Sequence, residues 1–246
     1  MNILVCVSKT PETTTKVKFT NNDTELDTAG IQYIMNPYDE WYALVRALEL
    51  KEAAGGEVTI LNVGTAANDT VIRKGLAIGA DKAVRVDSEG DSSLFVAKQI
   101  AEYAKDKNFD LIFCGKETID YNGSEVGGMV AEFLDQPFIS YASHLELDGN
   151  TAKVTRDIEG GEQIVQVDTP FVLSAAKGLA EQRIPNMRGI MMAKRKPLDV
   201  IPAVDFPTVS EAVTYELPPE KGDTKMIDPD NMDELVRLLH EEAKVI

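Results

Sequence analysis

Residues 115–128, GKETIDYNGSEVGG, combine glycines and hydroxyl groups directly after the apolar run LIFC. The apolar run predicts a buried strand, and the VGGMVAEFL that follows predicts a helix. Where a strand leads into a helix, free main-chain N–H groups and the positive end of the helix dipole favour an anion such as phosphate. Lys116 supports an anion there, and three acids oppose it: Glu117, Asp120 and Glu125. The residues alone therefore leave a phosphate cradle and a plain turn equally open.

Two other loops lie at the ends of predicted strands. They span residues 7–10, after the run ILVCV, and residues 63–68, after EVTILNV. Ligands of parallel α/β sheets bind outside the carboxyl ends of the strands. If these two strands neighbour the LIFC strand, the three loops and a predicted helix start at 36–39 meet in one crevice.

Strands and helices alternate from ILVCV to GSEVGGMVAEFL, and this order is typical of βαβ units. We therefore predict the α/β class, with a Rossmann-like three-layer α/β/α fold and a mostly parallel sheet. Between FISYASHLEL and FVLSAAK, short alternating runs joined by DGN and EGG predict added antiparallel strands.

The chain changes character after residue 196. Five prolines in this stretch disfavour both a helix and a central strand: Pro197, Pro202, Pro207, Pro218 and Pro219. A final helix is predicted over MDELVRLLHEEAKVI. We predict an α/β domain over 1–196 and an extended arm with a terminal helix over 197–246. The arm has too little core of its own, so it must pack on the domain or on another chain.

Local signals place the helix starts near the three loops. Asn36 is the expected cap of the helix that begins NPYDEW, with Pro37 at its first position, and Ser124 is a possible cap of the later helix. The acidic pair Asp39 and Glu40 is interpreted as a solvated helix end.

Catalytic motifs are lacking. The sequence has no GxSxG, HExxH or P-loop, and its two histidines, His144 and His240, have no partner by spacing. We predict no catalytic residues, no metal ligands, and binding without turnover.

The net charge of the chain disfavours some classes of binding partner. With 41 acidic against 25 basic residues, the formal net charge is −16, which disfavours nucleic acid and anionic membrane surfaces. No basic leader and no run of about 18 apolar residues is present, so we expect a cytoplasmic protein without membrane insertion. Cys6 and Cys114 fall in predicted strands without CxxC spacing, which predicts buried, reduced thiols.

The stretch IPNMRGIMMAKRKPLD, residues 184–199, gathers three methionines and four basic residues in this acidic chain. Methionine suits surfaces that adapt to several partners, which favours an exposed docking element. The alternative, ranked slightly ahead on composition, is that Met191 and Met192 fill the core.

Several blocks, in order and spacing, resemble the β subunit of the electron transfer flavoproteins. They are VTRDIEGGEQIVQVDTPFVLSAAK (154–177), MNPYDEWYALVRALELKE, IRKGLAIGADKAVRV and GKETIDYNGSEVGGMVAEFLDQPF. The resemblance covers the chain from MNILVCVSK to about Pro202 and implies a nucleotide-binding α/β domain that forms a heterodimer with an α subunit. It favours the cradle interpretation of residues 115–128.

The resemblance implies one FAD per heterodimer, bound mainly by the α subunit, and a structural AMP in this subunit. The residues implied at the AMP site are Cys6, Asn36, Pro37, Tyr38, Asp39, Val63, Gly115, Lys116, Glu117, Thr118, Ile119, Asp120, Tyr121, Asn122, Gly123, Ser124, Glu125 and Val126. Glu125 and Val126 depart from the family's usual forms, so main-chain contacts are the firmer expectation.

The methionine stretch falls where the family has its recognition loop for flavin-containing dehydrogenases, near 183–196. The residues implied in partner binding are Arg183, Ile184, Met187 at the tip, Ile190 and Met191, with Asp157 facing the mobile flavin domain of the α subunit. The arm over 197–246 is implied to wrap the α subunit.

Two other functions stay open. Bifurcating members of the family hold a second FAD in place of AMP and oxidise NADH. The sequence GKETIDYNGSEVGG lacks the acid-threonine-alanine run associated with those members, which favours the AMP form. A stand-alone ATP-binding enzyme or sensor is the third alternative, because nucleotide-binding α/β domains host many functions.

Overall fold

The structure is a computed structural model that describes residues 1–90, 92–207 and 209–246. Its centre is a nine-stranded sheet in the order β11-β10-β9-β12-β8-β1-β6-β7-β13. The strands are β1 (Asn2–Cys6), β6 (Glu57–Val63), β7 (Lys82–Asp87), β8 (Leu111–Gly115), β9 (Phe138–Asp148), β10 (Thr151–Ile158), β11 (Gly161–Asp168), β12 (Phe171–Ala175) and β13 (Leu198–Pro202). In this spatial order, the seven strands from β9 through β12, β8, β1, β6 and β7 to β13 are all parallel to their neighbours. At the other end of the sheet, β10 pairs antiparallel with both β9 and β11.

Helices cover both faces of the sheet. They are α1 (Asp39–Ala54), α2 (Asp69–Ile78), α3 (Ser93–Ala104), α4 (Val126–Leu134) and the short α5 (Met187–Ala193). Side chains alternate between the faces of a strand. Ile3 and Val5 of β1 accordingly pack with α1 and α2, whereas Leu4 and Cys6 pack with α3 and α4. The predicted three-layer α/β fold is confirmed, including the antiparallel strands.

Two compact units divide the chain. The large unit contains the sheet and spans residues 1–17 and 27–213, and the small unit spans 18–26 and 214–246. Two short pairs lie outside the main sheet: β2 (Lys9–Pro11) with β5 (Tyr33–Met35) in the large unit, and β3 (Phe19–Thr20) with β4 (Glu25–Leu26) in the small one.

The small unit joins the β3–β4 hairpin to the C-terminal arm. The Tyr215 N–H donates to the Asp23 carbonyl at 2.8 Å, and the Tyr215 and Phe19 rings stack with centroids 5.0 Å apart. The arm ends in α6 (Met232–Arg237), followed by a π-helical segment, Leu238–Glu242. The sequence patterns gave no sign that the hairpin and the arm contact each other.

The thiol prediction is confirmed, because Cys6 and Cys114 are buried and free. No helix in the described residues is both long and apolar enough to cross a membrane.

Two cap predictions are wrong. Helix α1 begins at Asp39 with Tyr38 as its N-cap, and α4 begins at Val126 with Glu125 as its N-cap, neither through a side-chain bond. Asn36 and Ser124 instead bond within the loops, as described below.

Candidate functional site

Three strand ends meet at one edge of the sheet. β1 lies between β6 and β8 and runs parallel to both, so their carboxyl ends are adjacent. The loops after these strands are therefore brought together, as the sequence predicted. The Val7 N–H donates to Leu61 and the Lys116 N–H donates to Ala175, so the loops leave the sheet with their first residues still paired to neighbouring strands.

Asn36 anchors the glycine-rich loop. Its side chain is fully buried; its Nδ2 donates to the Glu117 carbonyl at 2.9 Å, and its Oδ1 accepts from the Ile119 N–H at 3.1 Å. One amide thus satisfies a main-chain acceptor and a main-chain donor in the loop. A buried polar group with both partners satisfied holds its surroundings in one arrangement.

The side chains of the loop are largely paired with each other. The Lys116 ammonium lies 3.0 Å from Glu117 Oε1, and the Ser124 hydroxyl donates to Glu117 Oε2 at 3.1 Å. The hydrogen bond to Glu117 raises the pKa of Lys116. Glu117 therefore occupies the two side-chain donors that an anion would otherwise use.

Unlike these side chains, the main chain at the start of α4 has N–H donors that are not paired within the helix. The first bond of the helix runs from the Met129 N–H to the Glu125 carbonyl, so the N–H groups of Val126, Gly127 and Gly128 have no acceptor within the helix. Asn122 and Ser124 adopt left-handed backbone, with φ of 50° and 53°, and turn the chain into α4. A Cβ on Gly123 would have Glu125 Oε1 as its nearest neighbour at 3.5 Å, so the Glu125 side chain packs against the main chain at that point.

Glu40 is buried at the end of β1, although the sequence suggested a solvated helix end. Its side chain is 4% exposed, and its Oε2 accepts from the Ser8 N–H at 2.6 Å. Burial raises the pKa of this carboxyl to about 8, against the bond from Ser8 and with smaller contributions from Asp120 and Asp39. A Cβ on Gly115 would lie 2.7 Å from Glu40 Cγ, so glycine is required where this side chain crosses β8.

Two neighbouring groups, Asp39 and Cys6, also have raised pKa values. Burial raises the pKa of Asp39, partly offset by Lys116. A hydrogen bond with Cys114, together with burial, raises the pKa of the Cys6 thiol. The Cys6 thiol therefore lines this end of the sheet in its neutral form.

Polar groups in and beside the loop after β6 are paired with one another and with neighbouring strands. The Asn62 Nδ2 donates to Val7 O at 2.8 Å, and the Asn68 Nδ2 donates to Asn62 Oδ1 at 3.0 Å. Arg85 bonds to Gly64 O and to Asp69, both at 2.9 Å. Of this loop, Val63 is the residue at the end of β6 that the sequence assigned to the site.

The predicted site residues therefore share one region. The structure brings Cys6, the 36–39 turn, Val63 and the 115–126 loop to the adjacent ends of β1, β6 and β8. Tyr38, with a left-handed φ of 64°, is exposed on the turn. The sequence analysis did not identify the Ser8 N–H as a hydrogen-bond donor or Glu40 as a buried acid. The only available signal was that Glu40 follows Asp39 in the first turn of a predicted helix.

The methionine stretch lies elsewhere on the large unit and is exposed. Ile184 is 81% exposed, Met187 74% and Met191 67%, and Met192 and Ile190 are also exposed. The alternative that Met191 and Met192 fill the core is wrong. Asp157, on β10, accepts from the Ser143 hydroxyl at 2.9 Å.

In the part of the chain that the structure describes, no side chains are grouped as metal ligands are. Within 1–90, 92–207 and 209–246, no group of three or more His, Cys, Asp or Glu side chains is placed to hold a metal ion. His144 lies on β9 beside Glu146, at 3.4 Å.

Comparison with known proteins identifies the family. The profile of the electron transfer flavoprotein domain matches residues 23–206. The electron transfer flavoprotein subunit beta of Bacillus subtilis is 35% identical over 260 residues, covering all of both chains. The chain belongs to the electron transfer flavoprotein family. The human β subunit is 31% identical over 255 residues, covering 100% of this chain and 99% of its own.

One similar protein carries a different name. The acryloyl-CoA reductase electron transfer subunit gamma of Anaerotignum propionicum is 34% identical over 224 residues, which cover 88% of this chain and 82% of its own. Membership implies a role in electron transfer, a flavin in the assembled protein and an α subunit as partner.

Glu40 gives the site a pH dependence that can be measured. Its folded-state pKa of about 8 lies above the ordinary 4.5, so the protonated carboxyl stabilises the fold at low pH and this contribution is lost as pH rises through about 8. Relative to Glu40→Gln, the wild-type free energy of unfolding should fall by up to about 1.4 kcal/mol per pH unit between those values.

Urea unfolding of the full chain at pH 5, 6, 7 and 8 measures this difference. Glu132→Gln, at an exposed acid of α4, is the matched control and should run parallel to wild type. Parallel curves for Glu40→Gln and wild type would show that Glu40 is not a buried acid in solution.

Proposed function

We propose that this chain is the β subunit of a heterodimeric electron transfer flavoprotein, in which it binds AMP structurally and docks flavin-containing dehydrogenases. The FAD of the complex, held mainly by the α subunit, then accepts and relays electrons. The observation that carries the AMP assignment is the Asn36-anchored loop at the adjacent ends of β1 and β8, whose N–H groups lead into α4. The chain itself acts as a carrier subunit without a catalytic residue.

The donor set fits a nucleotide held by main-chain groups. The N–H groups at the start of α4 suit a phosphate, which a helix N-terminus attracts. Side-chain cations do not add to this, because Lys116 already pairs with Glu117. Of the acids nearby, Glu40 has a pKa raised to about 8 by burial and so carries little negative charge near neutral pH. Burial also raises the pKa of Asp39. Asp120 and Glu125 remain as acids in the loop itself.

Each part of the site has a defined task in this proposal. Asn36 keeps the loop in its binding shape, and the α4 N–H groups orient the phosphate. Glu40 accepts from the Ser8 N–H, so the amide that follows β1 is not available to the ligand. AMP supplies no redox chemistry; FAD, when bound in the heterodimer, supplies the electron storage.

The arm is proposed to bind the α subunit. Apolar side chains along it are exposed, among them Val209, Val213, Leu217 and Met226. An extended segment with exposed apolar residues gains stability by packing on a partner. Asp157 is proposed to face the flavin domain of that partner, and we expect the complex in the cytoplasm.

A bifurcating β subunit is the second candidate. The relative named as an electron transfer subunit of acryloyl-CoA reductase favours keeping it, because its name couples that subunit to a reductase. In that case the same loops would hold a second FAD and the complex would oxidise NADH.

Identification of the bound nucleotides tests the proposed function. The chain is co-expressed with its α subunit, purified and denatured, and the released nucleotides are separated by chromatography. One FAD and one AMP per heterodimer are expected. Two FAD would establish the bifurcating form, and FAD without any adenylate in the β subunit would contradict the AMP site; turnover of ATP by the isolated chain would favour the enzyme alternative.

Docking through the exposed apolar residues is tested with Met187→Ala. Because truncation of an apolar anchor at an interface costs about 1–2 kcal/mol, the KM of the heterodimer for a flavin-containing dehydrogenase should rise roughly five- to thirtyfold. The bound nucleotides should not change. Val17→Ala, at an exposed apolar residue outside both the docking segment and the arm, is the control; equal KM values for Met187→Ala and wild type would contradict docking at this segment.

A further inference from the structure

The docking segment, residues 184–192, is held at its beginning by helix α1. The Trp41 indole Nε1 donates to the Arg183 carbonyl at 3.1 Å, and the Arg183 guanidinium makes two bonds to the Glu52 carboxylate, at 2.6 and 3.1 Å. Both the main chain and the side chain of Arg183 are thus tied to one helix, immediately before the exposed Ile184.

Helix α2 holds the other end of the segment. Arg73 donates to the carbonyls of Ala193 and Lys196, both at 2.7 Å. In return, the Lys196 ammonium donates to three carbonyls at the C-terminal end of α2 at 2.5–3.3 Å: Leu76, Gly79 and Ala80. These groups are the acceptors that a helix leaves unpaired at its end.

The middle of the segment approaches α2 closely. A Cβ on Gly189 would lie 2.4 Å from the Ala77 carbonyl oxygen, so this glycine lets α5 rest on the main chain of α2. Asn186 caps α5 by accepting from the Gly189 N–H at 2.8 Å. The inner side is therefore fixed, while Ile184, Met187 and Met191 project into solvent.

We propose that Trp41 is a positioning residue for docking: it sets where the segment leaves the domain, and so the direction of the apolar tip, without touching the partner. This inference rests on the proposed docking function. Trp41 is 8% exposed and is covered by the Lys74 ammonium, 4.4 Å from the ring centroid. Its buried ring has a fixed orientation, and its single N–H is directed at the residue that starts the segment.

The alternative role for Trp41 is core packing alone. The two roles differ in what the indole N–H does: packing depends on ring area, whereas positioning depends on the hydrogen bond to Arg183. Trp41→Phe keeps an aromatic ring and removes that donor. The bond also leaves a carbonyl unpaired when it is lost, so the segment start can shift.

The test uses the heterodimer and a purified flavin-containing dehydrogenase that reduces the wild-type complex. Since a neutral hydrogen bond contributes about 0.5–1.5 kcal/mol, Trp41→Phe should raise KM roughly two- to tenfold. The kcat at saturation, the flavin reduction potential and the bound nucleotides should stay at wild-type values. A positioning role changes KM alone, whereas general damage to the fold also changes nucleotide content.

A matched pair of acids checks the same mechanism. Glu52→Gln on α1 weakens the tie to Arg183, whereas Glu102→Gln weakens a similar ion pair with Lys98 on α3, on the other face of the sheet. Glu52→Gln should raise KM modestly, about twofold, because exposed ion pairs contribute little. Glu102→Gln should leave KM unchanged.

A double-mutant cycle with Met187→Ala separates this inference from the docking proposal. If Trp41 acts through the tip, Trp41→Phe should raise KM less in the Met187→Ala background than in wild type. A raised KM for Met187→Ala with a wild-type KM for Trp41→Phe would overturn the positioning role alone. Equal effects of Trp41→Phe in both backgrounds would also overturn it, and no effect of Met187→Ala would overturn docking itself.

Discussion

The candidate site depends on one buried amide. Asn36 accepts from one main-chain group and donates to another across more than 80 residues of sequence, linking the turn before α1 to the loop after β8. Without it, three acids and a lysine on a glycine-containing loop would have several arrangements available. With it, the loop presents its N–H groups at the start of α4 in one conformation, at the cost of a polar group that must stay paired inside the protein.

The electrostatics around that loop explain why an acidic chain is compatible with an anionic ligand in our proposal. Glu117 is neutralised by Lys116, and burial raises the pKa values of Glu40 and Asp39. Local charge is therefore smaller than composition indicates. The ligand would be held by main-chain dipoles, which do not depend on the identity of the side chains at 125 and 126.

Helix α1 connects the two surfaces on which the proposed function depends. Its first turn carries Glu40, bonded to the end of β1, and the next residue, Trp41, bonds to the start of the docking segment. One rigid element thus fixes both regions. The structure needs no moving part to keep their relative placement within the large unit.

The fold was predictable because apolar runs that alternate between strands and helices are local signals of βαβ units. The adjacency of the three strand ends was only a condition at that stage, because strand order depends on contacts between distant parts of the chain. The burial of Glu40 was not predictable, because it depends on β8 passing beneath it at Gly115. The cap roles of Asn36 and Ser124 were wrong for the same reason: distant loop groups compete for their side chains. The exposure of Met191 and Met192 could not be decided from composition, since methionine serves both core and surface.

The central claim, that a loop fixed by Asn36 holds the nucleotide through its main chain, is tested most directly by the nucleotide content of Asn36→Ala. Asn150→Ala, at an exposed turn between β9 and β10, is the control, and circular dichroism checks that both heterodimers are folded. Loss of two hydrogen bonds of about 1 kcal/mol each predicts adenylate retention at least tenfold weaker in Asn36→Ala during dialysis. Retention equal to that of Asn150→Ala and wild type would contradict the account.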